Sequence, residues 1–244
     1  MTDTKTIETA GEATAHLPPL HGATEPTEIE ILGGWFGSSR SFYTRLIKPA
    51  TDLLGGLLLA LALLPVMLAI AVMIRIKLGG PILLRQDRVG INGKPFKLLK
   101  FRTMLPDRRL PGTESVYSGA DRRHVHKTVS DPRHTTIGRR LRKYGFDELP
   151  QLWNILRGQM SLIGPRPELP DVVDAQYGPG DSRRHLVRPG LTGLWQVTKR
   201  GAGDLMYQDI AVDLEYVDTI SLKTDASIAL ATVRNILTKS HTGS

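Results

Sequence analysis

The sequence predicts an α+β, mainly helical protein: a re-entrant membrane segment built as helix, break and helix, followed by a cytoplasmic domain with interfacial amphipathic helices. Three observations predict this class. The 22-residue run Leu53–Ile74 carries no charge, two segments near residue 90 have a β-hairpin pattern, and later segments repeat apolar residues at helical spacing. The chain accordingly divides into a disordered tail (1–40), an interfacial and membrane segment (41–79) and a cytoplasmic domain (80–244).

The tail is acidic and polar. Residues 1–38 hold one lysine and six acidic residues, are rich in Thr, Glu, Ala, Pro and Gly, and show no apolar repeat. This composition favours disorder. No basic stretch leads into an apolar core, so the tail is not a secretory signal. The whole chain lacks cysteine, which excludes disulfides and thiolate metal sites.

The uncharged run would form a helix of about 33 Å, enough to cross a bilayer. Pro65 lies near its middle, where proline kinks or breaks a helix. Both flanks are basic, and positive residues favour the cytoplasmic side. We therefore expect the segment to enter and leave on that side, with its break at Pro65; a continuous span is the alternative. The flanking residues are Arg40, Arg45 and Lys48 before the run, and Arg75, Lys77, Arg85 and Arg88 after it.

The next segments predict a small sheet and a long loop. Pro81–Gln86 and Pro95–Phe101 read as two strands, and Asn92-Gly93 between them is a turn signal. Residues 105–130 are polar and rich in turn formers, which predicts a long functional loop. His124 and His126 fall in this loop, where we interpret them as solvated rather than metal-binding.

Two further helices are expected, and the region before Asp147 is strongly basic. Thr136–Lys143 predicts a short basic helix, and Asp225–Thr238 predicts an amphipathic helix whose apolar face packs in the core or on a membrane. Residues 75–146 carry 18 lysine and arginine residues against five acidic ones. Such a surface favours anionic partners, namely anionic membrane lipid, nucleotide phosphates or nucleic acid.

The adjacent acids Asp147 and Glu148 are the strongest candidate site. They precede a predicted short helix, in which Pro150 suits the first turn and an apolar face follows. That face comprises Leu149, Leu152, Trp153 and Leu156. Carboxylates at a helix N-terminus stay ionised, and phosphate is favoured nearby. Such an acid pair suits a nucleophile and a Mg²⁺ ligand, although simple helix capping is the alternative interpretation.

A second candidate is Arg166, which lies between Pro165 and Pro167. Two prolines stiffen the backbone on either side of the arginine. A guanidinium held in this way suits bidentate capture of phosphate. In the segment Arg188–Gly193, the glycine residues allow the backbone to approach a ligand closely.

From about Lys48 to Asp225 the chain resembles the bacterial sugar transferases of the monotopic polyprenyl-phosphate phosphoglycosyl transferase superfamily, in a compact form. The resemblance rests on motifs in a fixed order after the apolar segment. They are Gly80-Pro81, Arg85-Gln86-Asp87-Arg88-Val89-Gly90, Lys100-Phe101-Arg102-Thr103-Met104, Asp131-Pro132-Arg133, Asp147-Glu148-Leu149-Pro150-Gln151, Met160 to Glu168, and Arg188 to Gly193.

This resemblance implies an enzyme of the cytoplasmic membrane, with its catalytic domain on the cytoplasmic face. It would transfer a sugar 1-phosphate from a UDP-sugar to polyprenyl (undecaprenyl) phosphate and so initiate surface glycan synthesis. Carried over by motif, Asp147 would be the nucleophile and form an aspartyl phosphosugar intermediate, and Glu148 would bind the Mg²⁺ cofactor. Substrate phosphate would be bound by Arg166, Lys100, Arg102 and Arg200.

The chain departs from the family pattern at three places. Lys48-Pro49 replaces a common Lys-Arg pair, Lys199 replaces a small residue before Arg200, and residues 1–47 match nothing in the family. Two rival functions are a membrane-bound phosphohydrolase using the same acid pair and a membrane-tethered nucleic-acid binder. We expect no nucleic acid partner, because no nucleic-acid fold signature is present. The sugar, the glycan and homo-oligomerisation stay open.

Overall fold

The computed structural model describes residues 42–105, 133–178, 180–199 and 209–241. Within these ranges, helices and short strands alternate after one long helix. The helices are α1 (Lys48–Leu78), α2 (Thr136–Tyr144), α3 (Gln151–Leu156), α4 (Pro170–Gln176), α5 (Leu194–Thr198), α6 (Ile210–Thr219) and α7 (Leu222–His241). The strands are β1 (Leu83–Val89), β2 (Pro95–Phe101), β3 (Ser161–Ile163) and β4 (Gly190–Thr192). The mainly helical α+β class is confirmed.

Several predictions lie outside the described residues. They are the disordered tail, the polar loop after residue 105 with its two histidines, and the phosphate-binding role of Arg200. The division into three parts likewise stays a prediction.

Helix α1 is one helix of 31 residues that continues through Pro65. A π-helical turn, Tyr43–Ile47, leads into it. Among the described residues, the Tyr43–Leu78 helix is the one long and apolar enough to cross a membrane. The predicted arrangement of helix, break and helix is therefore not confirmed: α-helix is present on both sides of the proline without an interruption.

The part of the fold that holds Asp147 and Glu148 packs against α1 along almost the whole length of this helix. Near the start of α1, a Cβ atom on Gly56 would lie 2.9 Å from Ile155 Cγ2, so glycine permits close approach of α3. Near its end, Ile70 and Ile74 are buried with Phe101 and Leu141. The other side of α1 exposes a row of apolar side chains, which requires an apolar environment. They include Leu53, Leu54, Leu57, Leu58, Leu61, Leu64, Leu68, Val72 and Ile76.

The predicted hairpin is confirmed. Strands β1 and β2 pair antiparallel from Leu83↔Phe101 to Val89↔Pro95. The turn between them places Asn92 at φ 54° and Gly93 at φ 72°, the left-handed region in which Asn and Gly are favoured. This hairpin carries Lys100 towards the acid pair.

A second, smaller sheet holds the segment with two prolines. Strands β3 and β4 pair in parallel through Ser161↔Gly190 and Ile163↔Thr192. A Cβ atom on Gly190 would lie 2.1 Å from the Gly164 nitrogen, so only glycine fits there. The close approach of these two backbone segments fixes where the Pro165-Arg166-Pro167 segment starts.

The predicted apolar face of the helix after Asp147 is wrong in part. Trp153 is exposed, whereas Ile155 is buried together with Leu152. The reason is that i→i+3 hydrogen bonds continue past Leu149: the Leu152 and Trp153 nitrogens donate to the Leu149 and Pro150 carbonyls over 3.1 Å, and α3 begins only at Gln151. A 3₁₀ turn has about 3.0 residues per turn rather than 3.6, so the helical spacing counted from Leu149 does not continue into α3.

Helices α2 and α7 confirm the helices predicted at Thr136–Lys143, as a basic helix, and at Asp225–Thr238. The α2 N-terminus is capped by Thr135, whose Oγ1 accepts a hydrogen bond of 2.9 Å from the Gly138 nitrogen. In α7, Ile228 packs in the core, while the predicted apolar stripe is exposed. Core packing is therefore wrong for that stripe, and its contact with a membrane surface stays a prediction. Its members are Ala226, Ala229, Leu230, Val233, Ile236 and Leu237.

Candidate active site

Asp147 and Glu148 lie in the 3₁₀ turn Phe146–Glu148, between α2 and α3. Gly145, at φ 74°, ends α2 and starts this turn. The Glu148 nitrogen donates to the Gly145 carbonyl over 3.1 Å, which closes it. Glu148 is buried and Asp147 is half-buried. The acids therefore sit on a tight turn that presents one carboxylate inward and leaves the other partly accessible.

Two cations converge on Glu148 from distant parts of the chain. Arg166 Nη2 lies 2.9 Å from Glu148 Oε1, and Lys100 Nζ lies 3.5 Å from the same oxygen. Lys100 comes from the end of β2 and Arg166 from the loop after β3. We call Lys100, Asp147, Glu148 and Arg166 the acid–base cluster. Three of the predicted site residues are thus brought together around the candidate nucleophile.

Burial and neighbouring charges shift the pKa values in this cluster. Burial raises the pKa of Asp147, Glu148 raises it further, and Lys100 and Arg166 oppose the rise. Burial lowers the pKa of Lys100 to about 8 despite the Glu148 carboxylate beside it. The Glu148 carboxylate raises the pKa of Arg166, which therefore stays charged. The cluster can pair two cations with two acids, and an incoming phosphate could take over the cations.

The loop that carries Arg166 is held by its backbone. Four consecutive carbonyl groups, from Pro165 to Glu168, accept hydrogen bonds from other segments. The donors are Gly190 N to Pro165 O at 2.8 Å, Arg184 Nη2 to Arg166 O at 2.7 Å, Arg88 Nη1 to Pro167 O at 3.1 Å, and Val89 N to Glu168 O at 2.9 Å. None of these bonds uses the Arg166 side chain, so its guanidinium remains available to Glu148 or a ligand.

The residues that support this loop were not predicted from the sequence. Arg184 and Asp213 form a fully buried ion pair, and Arg184 Nη1 donates to the Tyr177 hydroxyl over 2.6 Å. Burial raises the pKa of Asp213, and the Arg184 guanidinium opposes that rise. Arg88 and Glu168 lie in the motifs on which the family resemblance rests, so the sequence did mark these two residues. No local pattern marks Arg184 or Asp213, because their pairing spans 29 residues.

Arg102 makes its side-chain hydrogen bonds at the end of α1. Its Nη1 donates to the Gly80 carbonyl over 2.8 Å, and its Nη2 donates to Gly79 over 2.7 Å and to Leu78. The last carbonyls of a helix have no partner within the helix, and Arg102 supplies one. The predicted phosphate-binding role of Arg102 therefore gains no support from the structure, which gives this side chain a helix-capping position.

A second buried network ties the start of α1 to the rest of the protein. Lys48 Nζ lies 2.7 Å from Asp225 Oδ2 and donates to the Ile163 carbonyl over 2.9 Å. The hydroxyls of Tyr43 and Tyr216 donate to Asp225 over 2.6 and 2.8 Å. We call Tyr43, Lys48, Tyr216 and Asp225 the anchor network. Lys48 therefore makes an anchoring contact even though proline follows it.

The described residues contain no group of three or more His, Cys, Asp or Glu side chains that could hold a metal ion. The adjacent carboxylates of Asp147 and Glu148 nevertheless fit Mg²⁺. This ion commonly takes one or two carboxylates and completes its shell with substrate phosphates and water. Glu148 is the buried member of the pair, and its present partners are cations that a diphosphate would also attract.

Comparison with known proteins gives a consistent family. The model of the bacterial sugar transferase family matches residues 43–239, so the match begins at Tyr43 rather than at Lys48 and extends past Asp225. A UDP-glucose:undecaprenyl-phosphate glucose-1-phosphate transferase of Caulobacter vibrioides is 40% identical over 198 residues, covering 78% of this chain and 70% of that protein. The exopolysaccharide production protein ExoY of Sinorhizobium fredii is 39% identical over 193 residues, covering 76% and 83%.

A longer relative matches only in part. The UDP-N-acetylgalactosamine-undecaprenyl-phosphate N-acetylgalactosaminephosphotransferase of Aeromonas hydrophila is 38% identical over 197 residues, which is 79% of this chain and 44% of that protein. The predicted family is thus confirmed by a match that includes α1, the acid pair and the loop of Arg166. The chain belongs to the bacterial sugar transferase family.

Proposed function

We propose that the protein transfers a sugar 1-phosphate from a UDP-sugar to undecaprenyl phosphate, through a covalent intermediate on Asp147, and so initiates surface glycan synthesis. The observation that carries this proposal is the acid–base cluster: a partly accessible carboxylate beside a buried one, with two cations converging on the latter. The names of the Caulobacter and Aeromonas relatives support the substrate classes.

In the first step the Asp147 carboxylate attacks the β-phosphorus of the donor. A bond forms between the aspartate oxygen and phosphorus, the bond to the bridging oxygen breaks, and UMP leaves. Arg166 and Lys100 bind the phosphate oxygens and stabilise the charge that develops on them. Because the cations also oppose the rise in the pKa of Asp147, they favour its ionised, nucleophilic form.

In the second step an oxygen of the lipid phosphate attacks the same phosphorus and releases Asp147. The covalent route divides one difficult transfer into two easier ones, and lets the soluble product UMP leave before the lipid acceptor reacts. We propose that Mg²⁺ is held by Glu148, where it would neutralise the diphosphate. The anchored backbone of the Arg166 loop keeps the guanidinium aligned through both steps, since none of its supporting bonds involves the ligand.

We propose that α1 enters the membrane from the cytoplasmic face and returns to it, bending at Pro65. Support comes from the packing: Gly56 near one end and Ile74 near the other both contact the same domain. A helix crossing the bilayer would draw that domain into the hydrocarbon. The basic residues at both ends of α1, and the basic face of α2, are proposed to contact anionic lipid of the inner membrane.

The topology can be tested because the chain has no cysteine. Thr14→Cys and Lys223→Cys each add one thiol, on opposite sides of α1 in sequence. In intact cells a membrane-impermeant maleimide should label neither, and both should react after lysis. Labelling of only one of the two in intact cells would show that α1 spans the membrane.

The activity can be tested by UMP release from detergent-solubilised protein with Mg²⁺ and a panel of UDP-sugars. We expect turnover with one sugar that requires undecaprenyl phosphate, and a lipid-linked product. Free sugar phosphate formed without lipid would instead establish the phosphohydrolase. No UMP from any donor, with and without lipid, would contradict the proposed donor class.

A further inference from the structure

Two exposed aromatic side chains stand beside the candidate nucleophile. Tyr144 and Phe146 are 44% and 42% exposed, and Phe146 directly precedes Asp147. Their ring centroids lie 6.0 Å apart with the rings tilted by 32°. The left-handed Gly145 between them turns the chain, so that the end of α2 and the start of the catalytic turn present neighbouring rings. Exposed aromatic area next to a reacting carboxylate calls for a partner with apolar surface.

The surroundings of this pair are positively charged. Lys143 Nζ lies 5.8 Å from the Tyr144 ring centroid, a cation–π contact. Arg139 and Arg140 on α2 are also exposed, and α2 contains no acidic residue. A partner of these rings would therefore meet cations as well as apolar surface. An amphiphile with an anionic head has both of the required properties.

The aromatic pair also lies beside the lipid-facing helix. Leu141, before the pair, and Leu149, after it, both pack in one cluster with Ile70 and Ile74 of α1. The outer side of the same stretch of α1 exposes its apolar side chains, with Ile76 72% exposed. Since the residues on both sides of the pair are held against α1, the rings lie next to the surface at which a membrane lipid would arrive.

We propose that Tyr144 and Phe146, with Lys143, form the docking surface for the acceptor lipid, contacting the isoprene units nearest its phosphate. This inference rests on the proposed function and adds the site at which its second substrate is recognised. The lipid phosphate lies towards the cations of α2 and Asp147, while the first isoprene units cover the two rings. The acceptor is thereby aligned with the phosphosugar on the residue that follows Phe146.

The test compares two double variants with one control. Tyr144→Ser with Phe146→Ser removes the apolar rings, and Tyr144→Leu with Phe146→Leu retains apolar area. Trp153→Ser is the control, because Trp153 is another exposed aromatic, at 51%, on a different helix. Equilibrium binding of undecaprenyl phosphate is measured on detergent-solubilised protein, together with UMP release in the absence of lipid and vesicle flotation.

We expect the serine variant to bind undecaprenyl phosphate about tenfold more weakly, a change of about 1.4 kcal/mol. The leucine variant should recover most of this loss, and Trp153→Ser should bind normally. UMP release without lipid should stay at the wild-type level in Trp153→Ser, and it reports separately whether each double variant still completes the first step, which does not use the acceptor.

Other outcomes would overturn the docking surface. Equal lipid binding by the serine variant and the control would do so, even if the enzyme proved inactive. Slower UMP release with unchanged lipid binding would place the rings against the donor. A loss of vesicle flotation alone would assign them to bulk membrane. Absence of UMP release from the wild-type protein, with the expected binding difference intact, would instead count against the proposed reaction.

Discussion

The acid–base cluster and the anchor network use the same chemistry in opposite ways. Each joins an acidic side chain to a basic one across the fold. In the anchor network, both oxygens of Asp225 accept hydrogen bonds and the Lys48–Asp225 side chains are 9% and 8% exposed. In the acid–base cluster, two cations share one oxygen of Glu148, and the Arg166 side chain is 27% exposed.

We propose that this difference separates a structural ion pair from a reactive one. A carboxylate whose oxygens are filled and buried cannot attack or bind anything without first breaking the fold. The acid–base cluster keeps a partly accessible carboxylate, Asp147, and in the proposed function its two cations exchange Glu148 for phosphate. The four predictions that follow test this contrast, in order of decreasing effect.

Asp147→Asn should abolish transfer, lowering kcat by about 10³-fold or more, because the amide cannot form the covalent intermediate. Membrane association and the thermal melting temperature should stay close to wild type, since Asp147 is only half-buried. The measurement is UMP release with and without lipid, alongside flotation and a melting curve. Wild-type turnover in this variant would rule Asp147 out as the nucleophile.

Lys48→Met should destabilise the fold by about 3–5 kcal/mol, because it leaves the Asp225 carboxylate buried without its cation. Thermal or denaturant unfolding of the solubilised protein measures the loss. The matched control is Lys97→Ala, which removes the exposed Lys97–Asp87 pair and should cost less than about 1 kcal/mol. Similar losses of unfolding free energy in both variants would show that the buried Lys48–Asp225 pair stabilises the fold no more than an exposed pair does.

Arg166→Lys should lower kcat/KM by about 10²-fold while the fold is retained. The loop is held by backbone carbonyls, so the change removes the planar guanidinium without releasing the loop. Steady-state kinetics with the preferred UDP-sugar measure the effect. Arg157→Lys is the control, because Arg157 lies over the exposed Trp153 ring. Equal activity of the two variants would contradict phosphate binding by Arg166.

The pH dependence should report Lys100, whose pKa is lowered to about 8. Below that pH the side chain is a cation, and above it the amine is neutral. If the charge binds phosphate, kcat/KM should fall as pH rises through about 8, approaching tenfold per pH unit. Lys100→Arg stays charged and should abolish this alkaline decline. A decline that persists in Lys100→Arg would assign it to another group.

Local patterns in the sequence were enough for the elements whose signals are local. The Asn92-Gly93 turn predicted the hairpin, and the basic run after Thr135 predicted α2. The same local reasoning failed at Trp153, because i→i+3 hydrogen bonds after Leu149 changed the helical phase. It did not foresee that the Arg102 guanidinium caps α1, and phosphate binding by Arg102 stays a prediction.

The sequence by itself determined the family, the acid pair and the apolar character of α1, because adjacent or periodic residues encode these properties. Only the tertiary structure decided which cations contact Glu148 and which acidic side chain pairs with Lys48. Lys48 and Asp225 are 177 residues apart in the sequence. Arg184, which donates a hydrogen bond to the Arg166 carbonyl, lies 18 residues from Arg166. Such contacts depend on how helices and strands pack, and packing follows from the summed burial of many side chains rather than from any local motif.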